Sequence, residues 1–231
     1  MGRDPRSSGR LDGYLEYVNT LGMRTAPTRA DRRAQTRAEL IAVADRRFSA
    51  DGYHATSLDA VADEAGFTKG AVYSNFSSKE DLFFAVYEGR VEQAVAHARE
   101  VVGAAPTAAE AVRALVAESS ARRDRDDGWL PVFLEFWTYV LRHPEHRARF
   151  AALHARATEP FVEALDRHAR ERGMTLPLGA RQLATAFLAT GTGLNLERLT
   201  QPDVVGPELG VRMQELFMDA LERRGSDAPD P

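Results

Sequence analysis

The 231-residue chain has no cysteine, which excludes disulfides, thiol catalysis, thiolate metal sites and direct cysteine redox sensing. It also lacks an apolar run long enough to cross a bilayer. No basic start with an apolar stretch and a small-residue cleavage site opens it, so the expectation is a cytoplasmic protein with no membrane partner. Alternating apolar and polar residues of the strand kind are missing, and the pattern throughout is helical. Lysine is nearly missing too. Lys69 and Lys79 are the only two among 30 basic residues, and both fall in one short stretch. The arginine excess itself is what a GC-rich genome produces and says little about function.

What stands around those two lysines is more informative. Residues 56–67 open with the hydroxyl of Thr56 as N-cap and place Leu58, Val61, Ala62 and Ala65 at helical spacing. Gly66 ends that helix, because glycine takes the left-handed conformation that closes a helix and turns the chain. Thr68 then caps a second short helix that carries Val72 and Phe76 inward. Two short helices joined by a tight glycine turn make a helix-turn-helix. Opposite the buried pair lie Lys69, Gly70, Ala71, Tyr73, Ser74 and Asn75, small, hydroxyl, amide and cationic groups that suit a DNA groove edge and its phosphates.

Residues 56–82 resemble the N-terminal signature of the TetR family of bacterial transcriptional regulators. Gly52 closes a first helix, Thr56 opens the second, Ala65-Gly66 makes the turn, and Lys69-Gly70 heads the third. Tyr73, Phe76 and Ser78-Lys79-Glu80 follow, leading into Leu82. The strict resemblance covers about residues 32–87. Asn75 departs from it, standing where many members carry histidine. The resemblance implies an all-α fold: an N-terminal three-helix helix-turn-helix DNA-binding domain plus a C-terminal helical ligand-binding and dimerisation domain. It implies phosphate contacts at Thr56, Tyr73 and Lys79, a homodimer on a palindromic operator in double-stranded DNA, and a small-molecule effector. The expected function is a ligand-responsive regulator, most simply a repressor, and not an enzyme.

A net charge of −4 looks wrong for a DNA binder, but residues 1–79 hold 12 basic and 10 acidic side chains against 18 and 24 in the remainder. Within the front, Arg29, Arg32, Arg33 and Arg37 lie just before and inside the first helix, within reach of phosphates or an adjacent minor groove. The expected organisation is a flexible extension over 1–28, the DNA-binding domain over 29–77, the effector and dimer domain over 78–224 and a disordered tail over 225–231. Besides the two short helices, others are expected at about 31–50, 78–102, 107–123, 129–142, 145–171, 180–199 and 207–223, with Pro160 kinking or splitting the one over 145–171.

The segment Trp129 to Leu141 is apolar nearly all round, which means burial on several sides, and both tryptophans lie in it. It reads as a core helix or as one wall of a ligand cavity. In the second reading Phe133, Phe136, Trp137 and Val140 make one face, and Phe161 with Leu165, or Phe187 with Thr190, supply the other. Glu135, Thr138, Tyr139 and Asn195 are then candidate polar anchors for a hydrophobic effector. The last two helices carry Leu183, Leu194, Leu199, Leu209, Met213, Leu216 and Phe217, at the position that in relatives of the family forms a four-helix dimer interface. Gly191 and Gly193 either allow close helix approach there or break the helix. His143-Pro144-Glu145-His146 has no third ligand, and Gly191-Thr192-Gly193 follows no strand, so no metal, no cofactor and no phosphate loop are expected.

Overall fold

The computed structural model describes residues 28–124 and 128–226. Nine α-helices follow one another in that part: α1 Arg29–Ala55, α2 Leu58–Ala65, α3 Lys69–Asn75, α4 Lys79–Ala104, α5 Ala108–Asp124, α6 Trp129–Arg142, α7 Arg147–Arg172, α8 Ala180–Thr200 and α9 Pro207–Ser226. A 3-10 turn, Pro144–His146, precedes α7, and no strand occurs among the described residues. The extension expected over residues 1–28 lies outside the described residues except for Thr28. So does the tail beyond Ser226, and α9 itself runs two residues into the segment assigned to that tail.

Local chemistry explains the starts and stops. Thr28 and Asp31 form a reciprocal capping box at α1, Ser57 caps α2, Thr68 caps α3, and Ser78 caps α4 with Glu80 and Asp81 in its first turn. At the end of α2, Gly66 takes φ 70° and donates to the Ala62 and Asp63 carbonyls, which would otherwise be left open. One expectation needs correction. Thr56 is not the cap of α2: its hydroxyl donates to the Gly52 carbonyl at 2.9 Å, and the neighbouring Ser57 accepts from Ala60 N–H instead. Of the kink or split expected at Pro160, the split does not occur, since α7 runs unbroken from Arg147 to Arg172. α8 likewise continues through Gly191 and Gly193, so these glycines do not break it.

Two apolar cores organise the helices. The first joins Leu40, Val43, Ala44 and Phe48 of α1, Val61 and Ala62 of α2 and Val72 of α3 to the front half of α4, to α6 and to the start of α7. The second joins α5, the back half of α7, α8 and α9 around Leu165, Leu183, Phe187 and Met218. Between the cores run α4 and α7, which pack on each other and contribute to both. The helix-turn-helix therefore has no closed core of its own: Phe48 and Tyr53 from α1 pack on Phe83 of α4, which stacks on Phe136 of α6 with ring centroids 3.9 Å apart.

Gly52 sits at a close approach within this junction. It interrupts α1 with φ 87° and ψ 168°, a conformation essentially reserved for glycine. A Cβ there would lie 2.9 Å from Oε1 of Glu135 on α6. The Gly52→Ala variant is expected to lose about 1–3 kcal/mol of stability from the backbone alone, read as a lower urea midpoint at unchanged m-value. An unchanged midpoint would show that the backbone relaxes there without cost.

Candidate nucleic-acid interface

The outward side of α3 is built by burying its other side. Val72 and Phe76 are fully enclosed, and this turns Lys69, Gly70, Tyr73 and Ser74 to solvent, with Ala71 and Asn75 half-buried at the edges. Ser74 Oγ and Asn75 Nδ2 both donate to the Ala71 carbonyl at 2.8 Å. Thr68 spends its hydroxyl as a cap, accepting from Ala71 N–H at 3.2 Å. The structure thus brings the expected groove residues onto one exposed surface. Thr56 is the exception, because it is buried with its hydroxyl proton engaged on Gly52, so its side chain has no donor left for the phosphate contact expected of it.

The arginines of α1 do something sequence spacing did not show. Arg33 Nη2 donates to the Ser74 carbonyl at 3.0 Å and Arg37 Nη1 to the Asn75 carbonyl at 2.8 Å, while the Arg37 guanidinium lies 4.2 Å over the Phe76 ring. The last carbonyls of α3 carry the negative end of the helix and have no intrahelical donor. Two guanidiniums supply both charge and donors. Ala30, Arg33, Ala34, Arg37 and Asn75 line a surface pocket of about 420 Å³ beside this clamp, and Oδ1 of Asn75 is buried with no hydrogen-bond partner among the described residues. Arg32 is exposed on the same helix.

Lys79 is also engaged internally. Its Nζ donates to the His54 carbonyl at 3.0 Å and lies 4.4 Å from the Tyr53 ring centre, and burial pushes its ammonium below the ordinary range. Around it the end of α1, the start of α4 and the middle of α6 are knotted together. Glu135 Oε2 accepts from His54 N–H at 3.2 Å, and Tyr53 donates to Glu80 at 3.0 Å. Burial pushes the Glu80 carboxyl up. Hydrogen bonds from its own N–H, Ser78, Tyr53 and Tyr139 outweigh that and hold it below the usual range. Glu135 and Tyr139, read from sequence as anchors for a ligand, are instead part of this junction.

The effector walls expected from sequence do not face each other. Phe133, Phe136 and Val140 are buried and Trp137 half-buried in the first core, and the three aromatic side chains are in ring contact with Tyr53, Phe83, Phe84, Tyr87 and Phe150. Phe161, Leu165 and Phe187 belong to the second core. Thr190 is exposed, and with Ala186, Phe187, Met213, Leu216 and Phe217 it lines a groove of about 280 Å³ between α8 and α9. Of the expected dimer residues, Leu183 and Gly191 are buried inside their own protomer and cannot meet a partner. Leu194, Leu209 and Phe217 are half-buried, and Leu199, Met213 and Leu216 are exposed. Sequence reasoning missed Leu196, exposed on α8 beside Leu199; only knowledge of which face α7 covers separates it from Leu183.

A buried-backed reading helix, capped and clamped at both ends and mounted on a larger helical body, defines a helix-turn-helix DNA-binding protein. Comparison with known proteins then places it. Residues 40–86 match the bacterial regulatory proteins of the tetR family, and residues 108–224 match the BetI-type transcriptional repressor C-terminal domain. The chain belongs to the TetR family of transcriptional regulators, whose members are DNA-binding proteins and not enzymes. Among its relatives is the transcriptional activator FasR of Mycolicibacterium smegmatis, 34% identical over 36% of this chain and 38% of FasR. The chain thus spans well under half the length of that relative. The regulator UidR of Escherichia coli K12 is 27% identical over 62% of this chain and 70% of its own. A transcriptional regulator of Pseudomonas aeruginosa shares the fold, with a TM-score of 0.70 at 24% identity over 83% of this chain and 94% of that one.

The two roles open to Arg37 separate by salt dependence. If it holds α3 in place, Arg37→Ala weakens specific DNA binding severalfold and leaves the slope of log K against log salt unchanged. If it touches a phosphate, the same change flattens that slope by about one. The variant is also expected to lose about 1–2 kcal/mol of stability with its hydrogen bond and ring contact; a flattened slope at full stability would refute the clamp.

Proposed function

We propose that this protein is a cytoplasmic, ligand-responsive repressor that binds a palindromic operator as a homodimer and is released by a small hydrophobic effector. The outward face of α3, residues 69–75, carries this reading: it is exposed, polar and held in orientation from both ends. Lys69 is the base-edge candidate, with Thr68, Gly70, Ala71, Ser74 and Asn75 completing the groove face. Tyr73 and Lys79 are the phosphate candidates, since Lys79 keeps N–H donors beyond the one given to His54. One seven-residue helix offers few contacts. Two copies related by a twofold axis double them and fix a half-site spacing.

The dimer face supports the same reading. Leu196 and Leu199 of α8 and Met213 and Leu216 of α9 are large apolar side chains left open to solvent, beside the groove between the two helices. Exposed large apolar side chains on two adjacent helices are the kind of surface that marks a protein interface. For the effector, the apolar and aromatic side chains that fill both cores favour a hydrophobic compound. Solved proteins of the same fold include FadR of Bacillus subtilis with stearoyl-CoA, TM-score 0.61, and a regulator of Saccharomonospora viridis with choline, TM-score 0.64. An acyl chain and a quaternary ammonium are therefore the first two classes to try.

Switching would run through α4, which has its front half in the core of the reading head and its back half in the core of the body. A ligand that repacks the second core tilts that shared helix and changes the distance between two heads. Near-complete release needs a preference of about 5.5 kcal/mol for one state over the other.

The test is fluorescence anisotropy of the purified protein on labelled DNA from beside its own gene, with scrambled competitor at fixed salt. Saturable binding that resists the competitor, at two protomers or a multiple per site, is expected; binding erased by the competitor would sink the operator reading for that DNA. Leu216, 58% exposed in the protomer, tests the dimer. Leu216→Glu is expected to sediment as a monomer with its thermal midpoint little changed, and to bind operator DNA about a hundredfold more weakly because only one head then engages at a time. A dimer that survives the glutamate would place the interface elsewhere.

A further inference from the structure

Over residues 58–75 the sequence supplies one cation, Lys69, and three carboxylates, Asp59, Asp63 and Glu64. That is an adverse balance for a surface that must approach phosphates. Glu64 is drawn back toward α1, where Arg47 Nε meets it at 2.7 Å and Arg46 at 3.4 Å. Asp59 points the other way, across to α3. Its Oδ2 accepts from Lys69 Nζ, and its Oδ1 lies 3.5 Å from the Tyr73 hydroxyl. Both ends of the pair are open to solvent, Lys69 at 62% and Asp59 at 42%. The ion pair therefore stands on the surface that reads DNA.

A carboxylate in the first turn of a helix is ordinarily explained by the helix dipole. Here the capping is done by Ser57, and the Asp59 oxygens go instead to the two long polar side chains of α3. The hydrogen bond to Asp59, and after it the Asp59 charge, hold the Lys69 ammonium above its ordinary value. Without DNA the one cation of the reading pair is thus neutralised by its neighbour. When an arbitrary phosphate takes Lys69, it breaks the pair and leaves a bare carboxylate facing a negatively charged backbone. A guanine edge offers Lys69 two acceptors, and the paired cytosine amine offers a donor to a carboxylate, so a matching base pair can satisfy both former partners at once.

Resting on the DNA-reading function proposed above, we propose that Asp59 is a specificity-determining residue. It withholds Lys69 from the phosphates of arbitrary DNA and yields it where base edges replace the ion pair. The residue acts mainly against wrong sequences. Removing its charge therefore strengthens nonspecific binding while weakening discrimination.

The experiment compares wild type with Asp59→Asn, Asp63→Asn and the double variant Asp59→Asn/Lys69→Ala. Each is titrated onto a random-sequence duplex across a salt series, and each is used to select sequences from a random duplex pool. Asp63→Asn removes the same charge from the same helix; Asp63 makes no ion pair to Lys69 and acts on it only through its more distant charge. Asp59→Asn is expected to bind the random duplex roughly fivefold more tightly, the scale of an exposed ion pair. Its salt slope steepens by about one, and its selected sequences lose a base preference at one position per half-site. Asp63→Asn changes affinity less than twofold, and the double variant cancels the gain. Asp59→Ser is the second variant, should the asparagine lower the thermal midpoint. Equal gains from Asp59→Asn and Asp63→Asn, or an Asp59→Asn selection identical to that of wild type, overturn the assignment while leaving the DNA-reading function intact. A wild type that selects no sequence overturns both.

Discussion

The stack of Phe83 on Phe136, at 3.9 Å between centroids, is the contact on which the rest of the molecule depends. Phe83 belongs to α4 and Phe136 to α6, and Phe48 and Tyr53 of α1 close on the same rings. Each of these four side chains is at most 2% exposed. Burying a large aromatic is worth about 1.5–3 kcal/mol, so the cluster holds the reading head to the body far more strongly than any ion pair at the surface. The head is consequently not a bead on a hinge. The polar knot of Lys79, Glu80, Glu135, Tyr139 and the His54 backbone sits on the rim of the same cluster and fixes its rotation.

This arrangement changes how the positive charge of the front should be understood. Arg33 and Arg37 serve the carbonyls of α3, Arg46 and Arg47 serve Glu64 and Asp51, and Arg90 meets Asp45 at 2.6 Å and Ser49 at 3.1 Å. Arginine suits such work because its planar fork is pre-organised and never loses its charge. Among the described residues, most of the front's guanidiniums are thus committed to the fold rather than to the groove face. A protein with a net charge of −4 therefore gains little from nonspecific attraction, and its DNA affinity must come from fit at the groove face rather than from charge.

Much of the architecture was legible because it is written in local chemistry. Ser78 with Glu80 and Asp81, Gly66, Gly173 and the breakers between helices act within four residues of themselves, so helix limits fall within a few residues of expectation. Val72 and Phe76 could be assigned inward because a helix of seven residues has room for only one buried stripe. Thr56 and Ser57 show where that legibility ends: two adjacent hydroxyls are equivalent caps on paper, and only the return of the chain at Gly52 decides between them. The aromatic helix α6 left two readings open for a related reason, and its packing bears out the core reading. A segment apolar on every side is equally suited to a cavity wall and to a packed core, and its partners Tyr53, Phe83 and Phe150 lie on three different helices. Between the kink and the split that Pro160 allowed on paper, the split is avoided in a helix packed along its length by α4, α5 and α8.

The leucines of α8 carry the same lesson into assembly. Leu183 and Leu196 differ by thirteen positions, about 220° around a helix of 3.6 residues per turn, so they occupy well-separated faces. Composition alone gave no reason to prefer one. α7 settles it by covering the side that bears Leu183, Ala184 and Phe187, which leaves Leu196 and Leu199 outward together with Met213 and Leu216 of α9. The inner face of α8 thus belongs to the core that shares α4 with the helix-turn-helix, while its outer face stays open to solvent. In the dimer proposed above, a change in that core would be bounded on one side by the head and on the other by the second copy, and the tilt of α4 would be the coordinate through which a ligand alters the spacing of the two heads.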